Sequence, residues 1–340
     1  MNILIIRRDN IGDLVCTTPL IHALRQRYPQ ARLCALVNSY NAGVLQQHPD
    51  VDKVYAYAKA KHRGAGESLL GVHLRRVKLI VDLWRERFDY AIAVGPGAVR
   101  HARSARPKHI IAFHEHGHAP ERGVDCPVAR DGQQRMHEVL DVFRLLTPLG
   151  IEGTPPKLVL HIDPARRAHY AHTLPPTTGK RIAIHLSARE ASRRWPLAKF
   201  QALIASLTAQ GHQVLLFWAP GAANDPRHPG DDEMAAAILA HAPTDQIVPC
   251  PTACVEDLIA ALSLADVAVC ADGGSLHIAA GVGVPVVALF EHLDKKTQRW
   301  YPWGVPYVLV SSGSAQDWQI EHIALDAVQA ACQQLLHTPV

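Results

Sequence analysis

The feature that most constrains this chain is an alternation that runs along it twice. Short apolar runs of strand length are separated by longer stretches with helical periodicity. In the first half the strand candidates are Ile3–Ile6, Arg32–Val37, Val54–Tyr57, Tyr90–Val94 and Ile110–Phe113. Between them lie helical patterns over Asp13–Tyr28, with Leu14, Thr17, Leu20, Ile21 and Leu24 on one face, then Leu69–Arg87, and Gln134–Leu149 before Gly150. Strands separated by helices mean βαβ units and a mainly parallel sheet.

The pattern breaks around Gly153–Pro156 and Leu174–Lys180, where Pro, Gly and Thr accumulate as at a domain junction. It then restarts. Strands are expected at Arg181–Leu186, Gln213–Trp218, Ile247–Pro249, Val267–Cys270 and Val284–Phe290. Helices are expected at Pro196–Gln210, Asp232–His241, Val255–Leu264 and Ser275–Gly281, with a last one from Ile323 to Leu336. The fold class is therefore α/β, with two doubly wound domains. We place the first at 1–165 and the second at 176–322, and expect the helix in 323–340 to pack back toward the first. A length of 340 residues suits about two domains. Ligands of such sheets bind beyond the carboxyl ends of the strands, so two domains facing each other would enclose a cleft lined by those loops.

Composition excludes several classes. At 48% hydrophobic and 19% charged, the chain has ample apolar material for cores and is not a disordered protein. Its apolar runs, such as Val284–Phe290, fall far short of the ~20 residues of a membrane span. Arg7 and Arg8 follow the first apolar run, the reverse of a secretory signal, so a cytoplasmic location is expected. A net charge of +4 is too small to imply nucleic acid. The seven cysteines are irregularly spaced, and Cys250 and Cys254 have no second pair to complete a zinc site. His114-Glu115-His116-Gly117-His118 is the one dense histidine cluster; it reads as a metal site or as a polar loop, and no flanking ligand set accompanies it.

The loops after strands carry the chemistry. Arg7-Arg8-Asp9-Asn10-Ile11-Gly12-Asp13 joins the first strand to the first helix. Asp13 either caps that helix or stands ready as a base. No G-x-G-x-x-G occurs there, which removes the main support for a nicotinamide enzyme. Asp272-Gly273-Gly274-Ser275-Leu276-His277 follows a buried strand and opens a helix, which exposes backbone N–H groups to an anion such as a diphosphate. Ser275 and His277 are candidate side-chain donors beside them. Arg193-Arg194-Trp195-Pro196 offers guanidinium groups that match phosphate, or else forms a solvated basic turn. Asp232 and Glu233 open a helix, either as dipole complements or as ribose-binding acids. The basic clusters Arg75-Arg76-Val77-Lys78 and Arg100–Lys108, including Arg103 and Arg106, read as solvated surface or as an anion-binding face.

Together these segments resemble glycosyltransferase family 9, the heptosyltransferases of lipopolysaccharide core assembly. The resemblance spans nearly the whole chain. Ile5–Val15 with Thr18-Pro19-Leu20 looks like the N-terminal signature of that family. Arg193-Arg194-Trp195-Pro196 looks like its K-R-W-P element, and Asp272–His277 with Gly283-Val284-Pro285 like its D-[ST]-G-x-x-H…A-x-G-x-P element. The resemblance implies a GT-B fold and an inverting, metal-independent transferase with no cofactor. It implies transfer of heptose from ADP-L-glycero-D-manno-heptose to a lipopolysaccharide core acceptor, at or near the inner membrane. By carry-over, Asp13 is the base, Arg193 stabilises the departing diphosphate, and the turn of Asp272, Gly273, Gly274, Ser275 and His277 holds it. One of Asp232 and Glu233 matches a ribose-binding acid, while Arg103 and Arg106 are acceptor-side candidates. Three departures bear on the donor more than on the fold: Gly273 for Ser or Thr, Leu186-Ser187-Ala188 for Pro-Gly-Ala, and a distinct Glu291–Lys296 loop. A transferase using another nucleotide sugar, a nucleotide-sugar epimerase and a non-catalytic sugar-nucleotide binder are the alternatives.

Overall fold

The computed structural model describes residues 1–57, 69–132, 135–225, 229–240 and 245–338. They form two units, Met1–His161 and Ile162–Val340. In the first, β1 (Asn2–Arg7), β2 (Arg32–Asn38), β3 (Lys53–Tyr57), β4 (Tyr90–Val94), β5 (His109–Glu115) and β6 (Cys126–Arg130) are all parallel, in the order β3-β2-β1-β4-β5-β6. Its helices are α1 (Ile11–Val15), α2 (Thr18–Arg27), α3 (Leu69–Arg85), α4 (Ala98–Ala105) and α5 (Glu138–Phe143). The second holds β7 (Arg181–His185), β8 (Gln213–Trp218), β9 (Ile247–Pro251), β10 (Val267–Ala271), β11 (Val286–Phe290) and β12 (Tyr307–Ser311), again parallel, in the order β12-β11-β10-β7-β8-β9. With them are α6 (Pro164–Thr173), α7 (Leu197–Ala209), α8 (Asp232–Leu239), α9 (Val255–Leu262), α10 (Gly274–Gly281), α11 (Asp294–Trp300) and α12 (Leu325–Leu336).

Both sheets therefore follow one plan. The chain enters at the centre, winds to one edge, returns and winds to the other. The reversal falls between β1 and β4 in one sheet and between β7 and β10 in the other, where ligands of open α/β sheets bind. Central strands covered on both faces need apolar residues at every position, which is why Ile3–Ile6 and Ile182–Ile184 are buried throughout.

The departures from expectation have local causes. The helix expected over Asp13–Tyr28 is two helices, because Pro19 has no N–H to give the Val15 carbonyl. The Thr18 hydroxyl bonds that carbonyl instead at 2.8 Å, and α2 starts afresh. Strands β6 and β9 contain Pro127, Pro249 and Pro251, which only sheet edges tolerate, and both strands are edges. Pro164–Thr173, left in the expected junction, is a helix. Asp163 caps it, accepting from the Ala165 and Arg166 amides at 2.8 and 3.1 Å, and Arg166 pairs with Asp257 of α9, so it belongs to the second unit. The last helix, α12, buries Val328, Ala331, Cys332 and Leu335 in the second unit's own core. Gln134 and His241, expected helix ends, and residues 339–340 lie outside the described residues. No described helix is long and apolar enough to cross a membrane.

One ion cluster pins the start of the first sheet. Glu86 accepts from Arg32 Nε at 2.7 Å, Lys53 Nζ at 3.1 Å and the Tyr55 hydroxyl at 2.6 Å, tying the end of α3 to β2 and β3. Hydrogen bonding by Arg32, against a desolvation cost and aided by Tyr55 and Lys53, lowers the Glu86 pKa to about 2 from its ordinary 4.5. A lowered folded-state pKa adds stability above the unfolded value, and that stability is lost as pH falls through the folded one. Glu86→Gln is therefore expected to lower the thermal midpoint at neutral pH. The gap from wild type should shrink as pH falls from about 4.5 toward about 2, followed by circular dichroism at each pH.

Candidate active site

At the first reversal point, the β1 loop delivers Asp13. This residue sits at the third position of α1, with Asn10 as the N-cap. Its Oδ2 accepts from the Asn10 amide at 3.1 Å and from Asn10 Nδ2 at 3.0 Å, while Oδ1 accepts from Arg7 Nη2 at 2.5 Å. Capping and positioning thus coexist in one carboxylate, whose side chain keeps 13% exposure.

Arg7 organises the surroundings. It ends β1 and is buried, with Nη2 also 2.8 Å from Glu138 Oε1 at the start of α5 and Nε 3.2 Å from Asp9 Oδ2. Burial disfavours its charge, but Glu138, Asp13 and Asp9 together raise its pKa above the ordinary arginine value. Asn38 Nδ2 donates to the Arg8 carbonyl, and Asn41 Nδ2 reaches the Asp9 and Asn10 carbonyls at 3.4 Å each, so the loop backbone is held from β2. Gly95, after β4, has φ +89°, and a Cβ there would lie 2.3 Å from Asp9 Oδ2. A side chain at that position would displace the loop.

At the second reversal point, β10 leads through Asp272 and Gly273 into α10. The first-turn N–H groups of α10 have no acceptor within the helix. Arg193 approaches this turn from the loop after β7. Its Nη1 donates to the Asp272 carbonyl at 3.2 Å, Nη2 lies 3.4 Å from Asp272 Oδ2, and Nε donates to Glu291 Oε2 at 3.2 Å. Ser275 and His277, expected as side-chain donors, are both buried; Ser275 lies by the Cys270 thiol and the His277 ring meets Trp300 edge-on at 5.8 Å. The first-turn amides of α10 are the backbone donors at this turn.

Arg194 does not join Arg193. Its Nε bonds the Ala188 carbonyl at 3.1 Å, and Nη1 bonds Asp231 Oδ1 at 3.2 Å. Asp232 is engaged elsewhere: Oδ1 accepts from the Trp218 indole at 2.8 Å and Oδ2 from the Gly221 amide at 2.9 Å. Glu233 is exposed on the next position of α8. Gly230 lets this loop close, since a Cβ there would meet the Gly221 carbonyl oxygen at 2.2 Å. Arg103 and Arg106 are exposed at the end of α4, where the Arg106 guanidinium lies 4.1 Å from the Trp84 ring centre. His114 to His118 run from the end of β5 into an exposed turn.

Three participants were not among the expected site residues. Glu138 is buried against Arg7 across 131 positions. Glu291 ends the core of β11, accepts from Ser192 Oγ at 2.6 Å and also pairs with Lys296. Desolvation pushes its pKa up, yet Lys296, Ser192 and Arg193 hold it below the usual carboxylate range. Asp231 is buried, with Oδ2 lacking a hydrogen bond among the described residues, near His185, whose pKa burial brings down to about 4. Only the apolar setting of Glu291, directly after Val286–Phe290, was a visible signal.

The model of glycosyltransferase family 9 (heptosyltransferase) matches residues 76–323, most of the chain. The chain belongs to glycosyltransferase family 9. It is a glycosyltransferase of the heptosyltransferase family with a GT-B fold, two Rossmann-like units. Among family 9 relatives, a lipopolysaccharide heptosyltransferase 3 of Escherichia coli is 26% identical over 305 residues, covering 86% of this chain and 83% of that one. A family 9 glycosyltransferase from Veillonella parvula superposes with a TM-score of 0.80 at 18% identity, covering 98% and 97% of the two chains. The E. coli heptosyltransferase WaaC, solved with ADP, superposes at 0.75 with 18% identity over 98% of this chain and all of that one (100%).

Removing a buried charge from the Arg7 cluster strands its partners. Arg7→Met is expected to destabilise the protein by ~3–5 kcal/mol in urea unfolding. Adding Glu138→Leu should recover part of that loss, because one stranded carboxylate is removed. A double variant whose loss equals the sum of the two single-variant losses would show that the two residues are not coupled.

Proposed function

We propose that this family 9 protein moves a heptose from ADP-L-glycero-D-manno-heptose onto a lipopolysaccharide core sugar with inversion, without a metal ion. The observation that carries the reading is Arg193 held against the Asp272–Gly274 turn at the start of α10. This puts a fixed guanidinium beside free helix-end amides, the combination that stabilises a leaving diphosphate. ADP is the ligand solved with WaaC, and the E. coli relative is a lipopolysaccharide heptosyltransferase.

In this reading the acceptor hydroxyl oxygen attacks the anomeric carbon from the face opposite the diphosphate. The C–O bond to the diphosphate breaks, its electron pair leaves with ADP, and the hydroxyl proton passes to Asp13. Arg7 and Asn10 hold the Asp13 carboxylate so that no reorientation is needed during transfer. Arg193 and the amides of Gly274 and Ser275 receive the growing charge on ADP. Asp232 is held by Trp218 and Gly221, with one hydrogen bond on each oxygen and further acceptor capacity left for a ribose hydroxyl. Glu233 is the freer of the two acids.

Calorimetry with ADP, UDP, GDP and CMP in EDTA tests the donor, with ADP expected to bind tightest. A preference for UDP or GDP would assign another nucleotide sugar, and no binding at all would remove the diphosphate assignment. Asp13→Asn is expected to keep ADP affinity and to lose ~10²–10⁴-fold in turnover, followed as ADP release from ADP-heptose with a truncated core acceptor. Unchanged turnover would remove Asp13 from the reaction.

A further inference from the structure

Tyr57 ends β3 with two guanidinium groups over its ring. Arg8 Cζ lies 4.2 Å from the ring centre and Arg76 Cζ 5.2 Å. His101 of α4 meets the same ring, centroids 5.5 Å apart, and its Nε2 contacts Arg8 Nη1. Arg100, exposed on the same helix, is close enough to act on both Arg8 and His101. The β1 loop, β3, α3 and α4 thus converge on one basic cluster.

Among the described residues, two facts leave the cluster short of partners. The Nε–H groups of Arg8 and Arg76 are buried, with no hydrogen bond among the described residues. Asp9, the carboxylate that acts most on Arg8, also lies 3.2 Å from Arg7 Nε. Contacts with the Tyr57 ring offset only part of the mutual repulsion of three guanidinium groups. Burial first, then Arg8 and Arg100, brings the His101 pKa down to about 4, so at neutral pH its ring nitrogen is free to accept from Arg8.

We propose that Arg8, Arg76, Arg100 and His101 form an oxyanion site in the first unit for a phosphate or carboxylate group of a sugar, and that His101 takes up a proton from solvent as the site fills. The arriving anion draws Arg8 Nη1 off the imidazole and offsets the field of the guanidinium groups. Among the described residues, His101 faces Arg8 from the β1 loop, Tyr57 from β3 and Arg100 beside it on α4, while Arg76 of α3 lies over the same Tyr57 ring and Asp9 acts on Arg8. Of these only Asp9 is anionic, so a bound anion dominates the change in field. Arg8 and Arg76 are half-buried, which suits a compact group better than a flat lipid surface. Giving this group to the acceptor rests on the transferase reading; binding of the anion does not.

Inorganic sulfate is the probe, because it does not titrate over the range used. The full chain is saturated with ADP to cover the donor turn and titrated at constant ionic strength at about pH 7.5 and about pH 5.5. The His101 ring resonances localise binding by NMR. Wild type is expected to bind sulfate saturably, more tightly at the lower pH, with the His101 resonances moving. Arg76→Gln with Arg100→Gln should weaken binding by about tenfold or more. His101→Gln should keep sulfate binding and lose its pH dependence. Absent sulfate binding, unmoved His101 resonances or full affinity in the double variant would overturn the site. Retained pH dependence in His101→Gln would overturn the proton uptake. Phosphatidylglycerol vesicles are the second probe: binding to vesicles but not to sulfate overturns the compact site in favour of a lipid surface. If ADP does not bind, the donor reading fails while the His101 resonances still report sulfate.

Discussion

The first unit depends on one buried cation. Arg7 ends the central strand of its sheet, where solvent cannot neutralise it, and so it gathers Asp9, Asp13 and Glu138 around itself. Those contacts fix the β1 loop, the start of α1 and the start of α5 relative to one another. A buried guanidinium with several carboxylates is costly to desolvate and strongly directional once formed. That directionality orients Asp13. Removing the charge would free the carboxylate and loosen three elements together.

The second unit uses the inverse arrangement, with an anion at the centre. Glu291 is buried at the end of β11 and draws in Ser192, Arg193 and Lys296. It ties the loop after β7 to the loop after β11, with the Asp272 turn between them in the sheet order. Each sheet therefore has a charged residue at the end of a buried interior strand that holds loops beside its reversal point.

The fold was legible because its main signal is local. Runs such as Ile3–Ile6 and Val286–Phe290 need no partner to announce a doubly covered strand. Edge strands lacked that signal: Cys126–Arg130 carries a proline and alternating burial, and Tyr307–Ser311 is half exposed. Short helices built of basic or mixed residues, such as Ala98–Ala105 and Pro164–Thr173, were hidden because each is held by contacts to distant segments. In the candidate site the loop residues Asp13, Arg193 and Asp272 stood out by position, at strand-to-helix turns. Glu138 did not, since its role depends on a pairing across 131 residues. For Asp232, helix-start placement suggested a ligand, while the structure turns both its oxygens to Trp218 and Gly221.

The Glu291 anchor has an energetic corollary for any diphosphate ligand. Arg193 and Lys296 already face a carboxylate, so a phosphate oxygen that engages them enters by exchange, not by filling an empty site. The attraction realised is the difference between two anions competing for the same cations. Such an arrangement caps ground-state affinity and leaves the larger gain for the moment when charge on the departing phosphate increases. Under the proposed reading, a resident carboxylate at this place would work as an internal competitor, favouring prompt release of a spent nucleotide over its retention.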